Sequence, residues 1–277
     1  STRVRSSAAS DVYKRQMNDS ALVILSGGQD STTCLFWARQ NFKHVHAITF
    51  DYGQRHKIEI ESAKIIANLA EVESHEIINI KNCLVSTSPL TSDNKLDKYD
   101  SFSQMENIVG NNVEKTFVPM RNMLFFTIAV NRAVASGCRN LVTGICQQDN
   151  ANYPDCTNYF KQAFELATNY SLGLTDDNKI TVHAPLMTKS KAETCQMGLR
   201  LPNCFKALAY SHTSYDGKYP PTDNNHANLL RAEGFLQAGL PDPLVVRAVE
   251  EGLMDFPKTD NYSSEKVAAC RVLIYEV

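Results

Sequence analysis

The stretch richest in chemistry is "SGGQDST", Ser26 to Thr32, which follows the apolar run 21–25 and leads into a helical pattern. A strand ending at Leu25, a loop holding Gly27 and Gly28, and a helix from about Ser31 would gather unpaired backbone N–H groups and the positive end of a helix at one point, a site suited to phosphate. The two glycines let the backbone approach an anion without a Cβ in the way, with Gln29 beside them, and Ser26, Ser31 and Thr32 add hydroxyl donors. A carboxylate beside a phosphate repels it unless a cation lies between. Asp30 therefore reads as a residue for Mg²⁺ or for the pyrophosphate side, besides any capping that Asp30 or Ser31 gives the helix. Neither GxGxxG nor GxxxxGK[ST] is present.

Such a loop needs a sheet edge to stand on. Apolar runs at 21–25, 45–50, 75–80, 140–145 and 179–184 read as strands, most too continuously apolar for a sheet with one wet face. Helical patterns at about 31–40, 57–70, 121–136, 156–171 and 190–200 alternate with them. The expectation is α/β: a Rossmann-like parallel sheet of about five strands with helices on both faces, plus a small C-terminal helical and loop region. Residues 82–115 break the rhythm and read as a lid or a solvated insertion, with 101–112 polar enough for local disorder. After Tyr210 a turn-rich loop precedes a helix closed by Gly239, a helical segment over 243–254, and a tail that suits helix or strand.

The chain has 277 residues, 43% of them apolar, enough for one substantial core. Residues 1–16 have no apolar periodicity, and "DVYKRQ" resembles a translated transposon adapter, so Met17 is the expected native start. Setting aside that leader's four basic residues and one acidic residue takes the 28 basic and 30 acidic side chains to 24 and 29, a net charge of −5. That balance does not suggest a nucleic-acid surface. Eight cysteines without a CxxC pair, and no secretory or membrane-spanning run, suggest reduced thiols in a cytoplasm. The expected division is 17–205 for the nucleotide-binding domain and 206–277 for the C-terminal region.

"SGGQDS" resembles the pyrophosphate loop, SGGxDS, of enzymes that cleave ATP between its α- and β-phosphates. "TFDYGQRHKIEIESAKIIA" (49–67), "TFVPMRN" (116–122), "VTGICQQDNANYPDC" (142–156) and "APLMTKSKAET" (184–194) resemble, in order and spacing, the 7-cyano-7-deazaguanine synthase family from about Ala21 to Phe235. The resemblance implies a ligase-like enzyme that takes 7-carboxy-7-deazaguanine and ammonia to the nitrile with ATP and Mg²⁺, through an adenylated acid, an amide and an adenylated amide. It places Leu25 to Thr32 around ATP, Arg55, Arg121 and Lys191 around phosphates or the substrate carboxylate, and Asn122 beside the substrate. Arg121 is favoured because a guanidinium holds either anion in bidentate fashion. Asp149 or Asp155 would accept from the guanine-like edge and Tyr153 would stack on the ring, or the three form an Asx-type turn over a packed aromatic. Expected partners are the deazapurine acid, ammonia and ATP, with no stable nucleic acid and no membrane; a homodimer is left open.

The chain departs from that family first at the four positions of a metal site. Family members carry four thiolates spaced for structural zinc; the matching residues here are Ser214, Thr222, Asn225 and Asn228. Hydroxyls and neutral amides bind Zn²⁺ far more weakly, so no structural zinc is expected and a polar network should hold the loop. Met120 replaces the family's usual Gly before Arg-Asn, and Asn150-Ala151-Asn152 replaces a Phe-Ser-Gly-like run. Two other readings stand beside the synthase: an adenylating ligase that stops at an amide, and a catalytically silent nucleotide-binding paralogue.

Overall fold

A computed structural model describes residues 19–54, 57–92, 94–147, 152–175, 178–214, 217–221 and 223–276. Five parallel strands, β1 (Ser20–Ile24), β2 (His44–Asp51), β3 (Ser74–Asn79), β4 (Asn140–Val142) and β5 (Thr181–His183), lie in the order β3-β2-β1-β4-β5. The strand order reverses between β1 and β4, and open α/β sheets bind ligands at that crevice. Side chains of β1 alternate: Ala21 and Val23, with the following Leu25, enter one apolar cluster, and Leu22 enters the other on the opposite face. Both faces are therefore dry, which explains the continuous apolar runs.

Helices α1 (Gln29–Asn41) and α2 (Ile58–Leu69) cover the first face. Next in chain order comes α3 (Phe102–Val109), on the segment expected to be disordered. Its start is fixed by the Ser101 hydroxyl, which accepts from the Gln104 N–H at 3.2 Å, and Met105 and Val109 are buried against Tyr99 and Leu229. Tertiary packing thus overrides a polar composition. The second face is covered by α4 (Arg121–Ala135) and α5 (Asn158–Ser171).

The remaining helices are α6 (Lys191–Arg200), α7 (Cys204–Leu208), α8 (His226–Ala238), α9 (Pro243–Glu250) and α10 (Ser264–Tyr275). Helix α9 stops short of the expected 254, and the ambiguous tail is α10. Gly239 ends α8 with φ +68°, as its position after the last apolar residue suggests. Phe235, Val246, Cys270 and Ile274 join the same cluster as Ala21 and Leu35. Among the described residues, no helix is long and apolar enough to cross a membrane.

Candidate active site

The C-terminal ends of β1, β2 and β4 open into a chamber of about 510 Å³. At its floor, Gly28 is the N-cap of α1 and makes no side-chain cap, so neither Asp30 nor Ser31 caps this helix. The expected hydroxyl donors are partly committed. Ser31 Oγ accepts from the Ser26 N–H at 3.1 Å and donates to Gly28 O at 3.2 Å, while Thr32 Oγ1 donates to Gly28 O at 2.7 Å. The loop is thus pre-shaped by its own hydroxyls, which hold the Ser26 and Gly28 N–H groups at 3.1 and 3.3 Å.

The two glycines have different reasons for being there. Gly27 has φ +87°, and a Cβ on it would stand 2.2 Å from Glu59 O and 2.9 Å from Ala63 N, so the loop lies against the backbone of α2. At Gly28 a Cβ would meet only ordinary contacts at 3.4–3.5 Å. A third glycine, Gly144 after β4, lets that strand's end press on α1, where a Cβ would lie 3.0 Å from Ser31 N. Gln29 turns its amide to Cys195 Sγ at 3.1 Å. Leu25, Ser26, Gly28, Gln29, Asp30 and Ser31 line the chamber; Gly27 and Thr32 stand behind its wall.

Asp30 has its cation from the protein. Lys191 Nζ lies 2.9 and 3.1 Å from the two carboxylate oxygens, and the pair is mostly buried. Lys191 is the first residue of α6, held there by a capping box: Ser190 Oγ accepts from the Glu193 N–H at 3.2 Å and Glu193 Oε2 accepts from the Ser190 N–H at 2.7 Å. Gly234 of α8 makes room for the lysine stem, since a Cβ there would meet Lys191 Cγ at 2.4 Å. The start of α6 and Gly234 of α8 therefore position one lysine side chain.

The opposite wall is the start of α4. Met120, its N-cap, is left-handed at φ 62°, which explains why a glycine suits the position. Arg121 and Asn122 both line the chamber. The Arg121 guanidinium donates to the Tyr52 hydroxyl, and burial pushes that phenol up to about 12. Burial also raises the Glu59 carboxyl to about 7, against the opposing pull of the Arg121 charge. Phe50 and Phe125 stack at 4.3 Å between ring centres, Tyr52 packs on Phe125, and Tyr153 lies 5.5 Å from Phe117, together forming an aromatic flank. The Tyr153 hydroxyl is hydrogen-bonded to Thr116.

Asp155 does not line the chamber. It is buried behind the wall, where its Oδ2 accepts from the Asn122 N–H at 3.4 Å and its carbonyl accepts from Asn122 Nδ2 at 3.2 Å. Burial raises its pKa, opposed first by the Arg121 charge. There it supports the first turn of α4. Arg55, Asp149 and Thr222 lie outside the described residues.

The three described residues at the family's thiolate positions converge. Asp223 Oδ1 accepts from Ser214 Oγ at 2.9 Å, Asn225 Nδ2 at 2.9 Å and Asn228 Nδ2 at 2.7 Å. Asn225 also caps α8, its side chain accepting from the Asn228 N–H at 3.0 Å. This network anchors the helix that brings His226, Ala227, Leu230 and Arg231 to the chamber. Arg231, only 2% exposed, grips Asp242 with two bonds of 2.6 and 2.8 Å and donates to Ser211 and Thr213.

Glu59, Tyr52, Gly144, His212 and Arg231 escape the sequence reading as site residues. Tyr52, Glu59 and Gly144 lie inside the quoted motifs, but an acid in the first turn of a helix reads as an ordinary partner of the helix dipole.

A sequence model described as "Queuosine biosynthesis protein QueC" matches residues 20–239. The 7-cyano-7-deazaguanine synthase of Laribacter hongkongensis is 44% identical over 227 residues, 82% of this chain and 94% of that protein. The synthase of Gloeobacter violaceus is 42% identical, covering 81% of this chain and 94% of its own length, and that of Chromobacterium violaceum is 42% identical, covering 84% and 96%. An NH3-dependent NAD synthetase from Campylobacter jejuni superposes over 96% of this chain and 90% of its own at 13% identity, with a TM-score of 0.38, a likeness too slight to carry an inference. With the loop, its paired lysine and the α4 arginine on one chamber, and with this agreement over most of its length, the chain belongs to the QueC family of queuosine biosynthesis proteins.

Proposed function

We propose that this chain converts 7-carboxy-7-deazaguanine and ammonia to 7-cyano-7-deazaguanine, using ATP to activate oxygen twice. The observation that carries the reading is the convergence of the 26–31 loop, the Asp30–Lys191 pair, Arg121–Asn122 and the aromatic flank on one chamber between β1 and β4. A carboxylate is a poor electrophile until its oxygen becomes a leaving group. Attack of that oxygen on the α-phosphorus of ATP breaks the bond to pyrophosphate, which departs with the electron pair into the loop's N–H groups. Lys191 neutralises charge at the same end, and Arg121 holds the acid or its adenylate through two parallel bonds. Phe50, Phe125 and Tyr153 provide faces for a planar heterocycle.

Asp30 is the carboxylate that would hold a Mg²⁺ delivered with ATP. One or two carboxylates plus phosphate oxygens suffice for that ion, and when bound it adds positive charge beside the phosphates. Among the described residues no group of three or more His, Cys, Asp or Glu side chains is placed to hold a metal. The hydroxyl and amide side chains at 214, 225 and 228 are poor zinc ligands, and the protein is proposed to work without structural zinc. All eight cysteines are free thiols, which suits a reducing cytoplasm.

The test is incubation of purified protein with the acid, ammonium and Mg-ATP, followed by mass analysis of the purine and counting of AMP. The expected result is nitrile with two AMP per product. Amide accumulating with a single AMP, or no AMP at all, would overturn the reading.

A further inference from the structure

We infer that Glu59 is the general base of the ammonia steps, taking protons from the nitrogen that becomes the nitrile. The inference rests on the synthase reading above. Its geometry starts from two anchors: the loop holds the phosphate side of the adenylate, and Arg121 with the aromatic flank holds the acid. The reacting carbon must lie between them. Glu59 borders both, for its main chain lies against Gly27 in the loop and its side chain lines the chamber within the field of Arg121 and Tyr52.

The other described carboxylates near the chamber are engaged elsewhere. Asp30 is paired with Lys191 at the phosphate end, the Asp155 carboxylate is behind the wall against the Asn122 N–H, and Glu114 is bonded to Thr116. The Nε2 of His212 is tied to the Ser214 carbonyl at 2.8 Å. No described residue hydrogen-bonds the Glu59 carboxylate, whose charged neighbour is the Arg121 guanidinium and whose other titratable neighbour is the Tyr52 phenol. A carboxyl titrating at about 7 is half in its basic form at neutral pH, the condition under which a general base is most effective.

The chemistry balances without any other reactant. Ammonia attacks the acyl carbon of the adenylated acid, the C–N bond forms, and AMP leaves with the C–O electron pair. The extra proton on nitrogen passes to Glu59 and then to solvent, giving the amide. The amide oxygen then attacks the α-phosphorus of a second ATP, pyrophosphate leaves with the P–O electron pair, and one N–H proton passes to Glu59 and on to solvent. Loss of the last N–H proton to Glu59 turns that electron pair into the third C–N bond as AMP leaves.

The experiment compares wild type, Glu59→Gln and Glu59→Asp in two assays: exchange of labelled pyrophosphate into ATP with the acid and no ammonia, and nitrile formation with ammonium across pH 5.5–9. Exchange needs no nitrogen base. The ratio of nitrile formation to exchange is expected to fall by about 10²–10³-fold in Glu59→Gln, with partial recovery in Glu59→Asp. The acidic limb of the wild-type profile near pH 7 should vanish in Glu59→Gln. Nitrile formation within threefold of wild type, or exchange falling in parallel with nitrile formation, overturns the assignment while leaving the synthase reading intact. Wild type that makes no nitrile overturns the synthase reading and this assignment with it.

Discussion

Replacing Asp223 by Ala should destabilise the protein without any metal being involved. One oxygen of Asp223 accepts from Ser214 Oγ, Asn225 Nδ2 and Asn228 Nδ2 at 2.7–2.9 Å. Bonds to a charged acceptor contribute roughly 1.5–3 kcal/mol each, which sets a ceiling of about 5–9 kcal/mol. The true loss is smaller. Asn225 Nδ2 keeps Ser214 Oγ at 3.1 Å, Asn228 Nδ2 keeps Ser214 Oγ at 3.0 Å and the Asp223 carbonyl at 2.9 Å, and the half-buried aspartate leaves a place that water can enter. What remains is the loss of a charged acceptor from the centre of three donors, beside a Ser214 that is 1% exposed. That leaves about 2–4 kcal/mol, a fall in Tm of roughly 3–7 °C for a chain of this size. Asp223→Asn keeps an acceptor of about half the strength and should lose about half as much. Thermal unfolding followed by circular dichroism, with and without a strong chelator, measures both. A Tm for Asp223→Ala within about 1 °C of wild type refutes the network, and a wild-type Tm that drops on chelation shows that a metal holds the loop instead.

Lys191→Met leaves the Asp30 carboxylate facing phosphate without its ammonium, and AMP formation should fall by about 10²–10³-fold; a rate within threefold of wild type would make the pair structural only. Met120→Gly relieves a left-handed residue at φ 62°, a gain of about 1 kcal/mol and roughly 2–4 °C in Tm, and an unchanged or lowered Tm counts against that strain. Gly27→Ala places a Cβ 2.2 Å from a backbone oxygen at φ +87° and should cost at least about 2 kcal/mol, whereas Gly28→Ala should unfold as wild type does; equal Tm values for the two would contradict this packing. Glu59, raised to about 7 in the fold, binds more protons folded than unfolded between its ordinary value and that one, so its penalty is absent at low pH and grows as pH rises through 7. Glu59→Gln should therefore melt above wild type at pH 8, with the difference vanishing towards pH 4.5; a difference that grows on acidification reverses the sign and refutes the assignment.

The sheet and its main helices were legible because burial on both faces writes a plain pattern. Apolar runs such as 21–25 can only be strands of a covered sheet once helical periods alternate with them. Helix α3 was illegible for the opposite reason: its Ser, Gln and Asn residues carry little apolar period, and Met105 and Val109 gain their meaning from Tyr99 and Leu229, distant in the chain. That the loop, Asp30, Lys191 and Arg121 belong together was legible, and they line one chamber, yet the direct pairing of Asp30 with Lys191 was not, since 161 residues separate them. The contact of Asp155 with the start of α4 was illegible for the same reason, since 33 residues separate it from Asn122.

Asp223 shows why the replacement of four thiolates was readable only in part. A zinc site gathers anionic ligands around a positive centre. Substituting neutral hydroxyls and amides at the ligand positions makes the periphery donate hydrogen bonds, and donors converging on one point need a negative centre. The polarity of the cluster must therefore invert, and the anion must come from a residue that is not itself at a ligand position. Asp223 meets that requirement: it stands between positions 222 and 225 and puts one oxygen within 2.7–2.9 Å of three donors. Neutral ligands and a central anion must occur together in such a cluster, because either one alone leaves like charges or unpaired donors facing one another in a buried place.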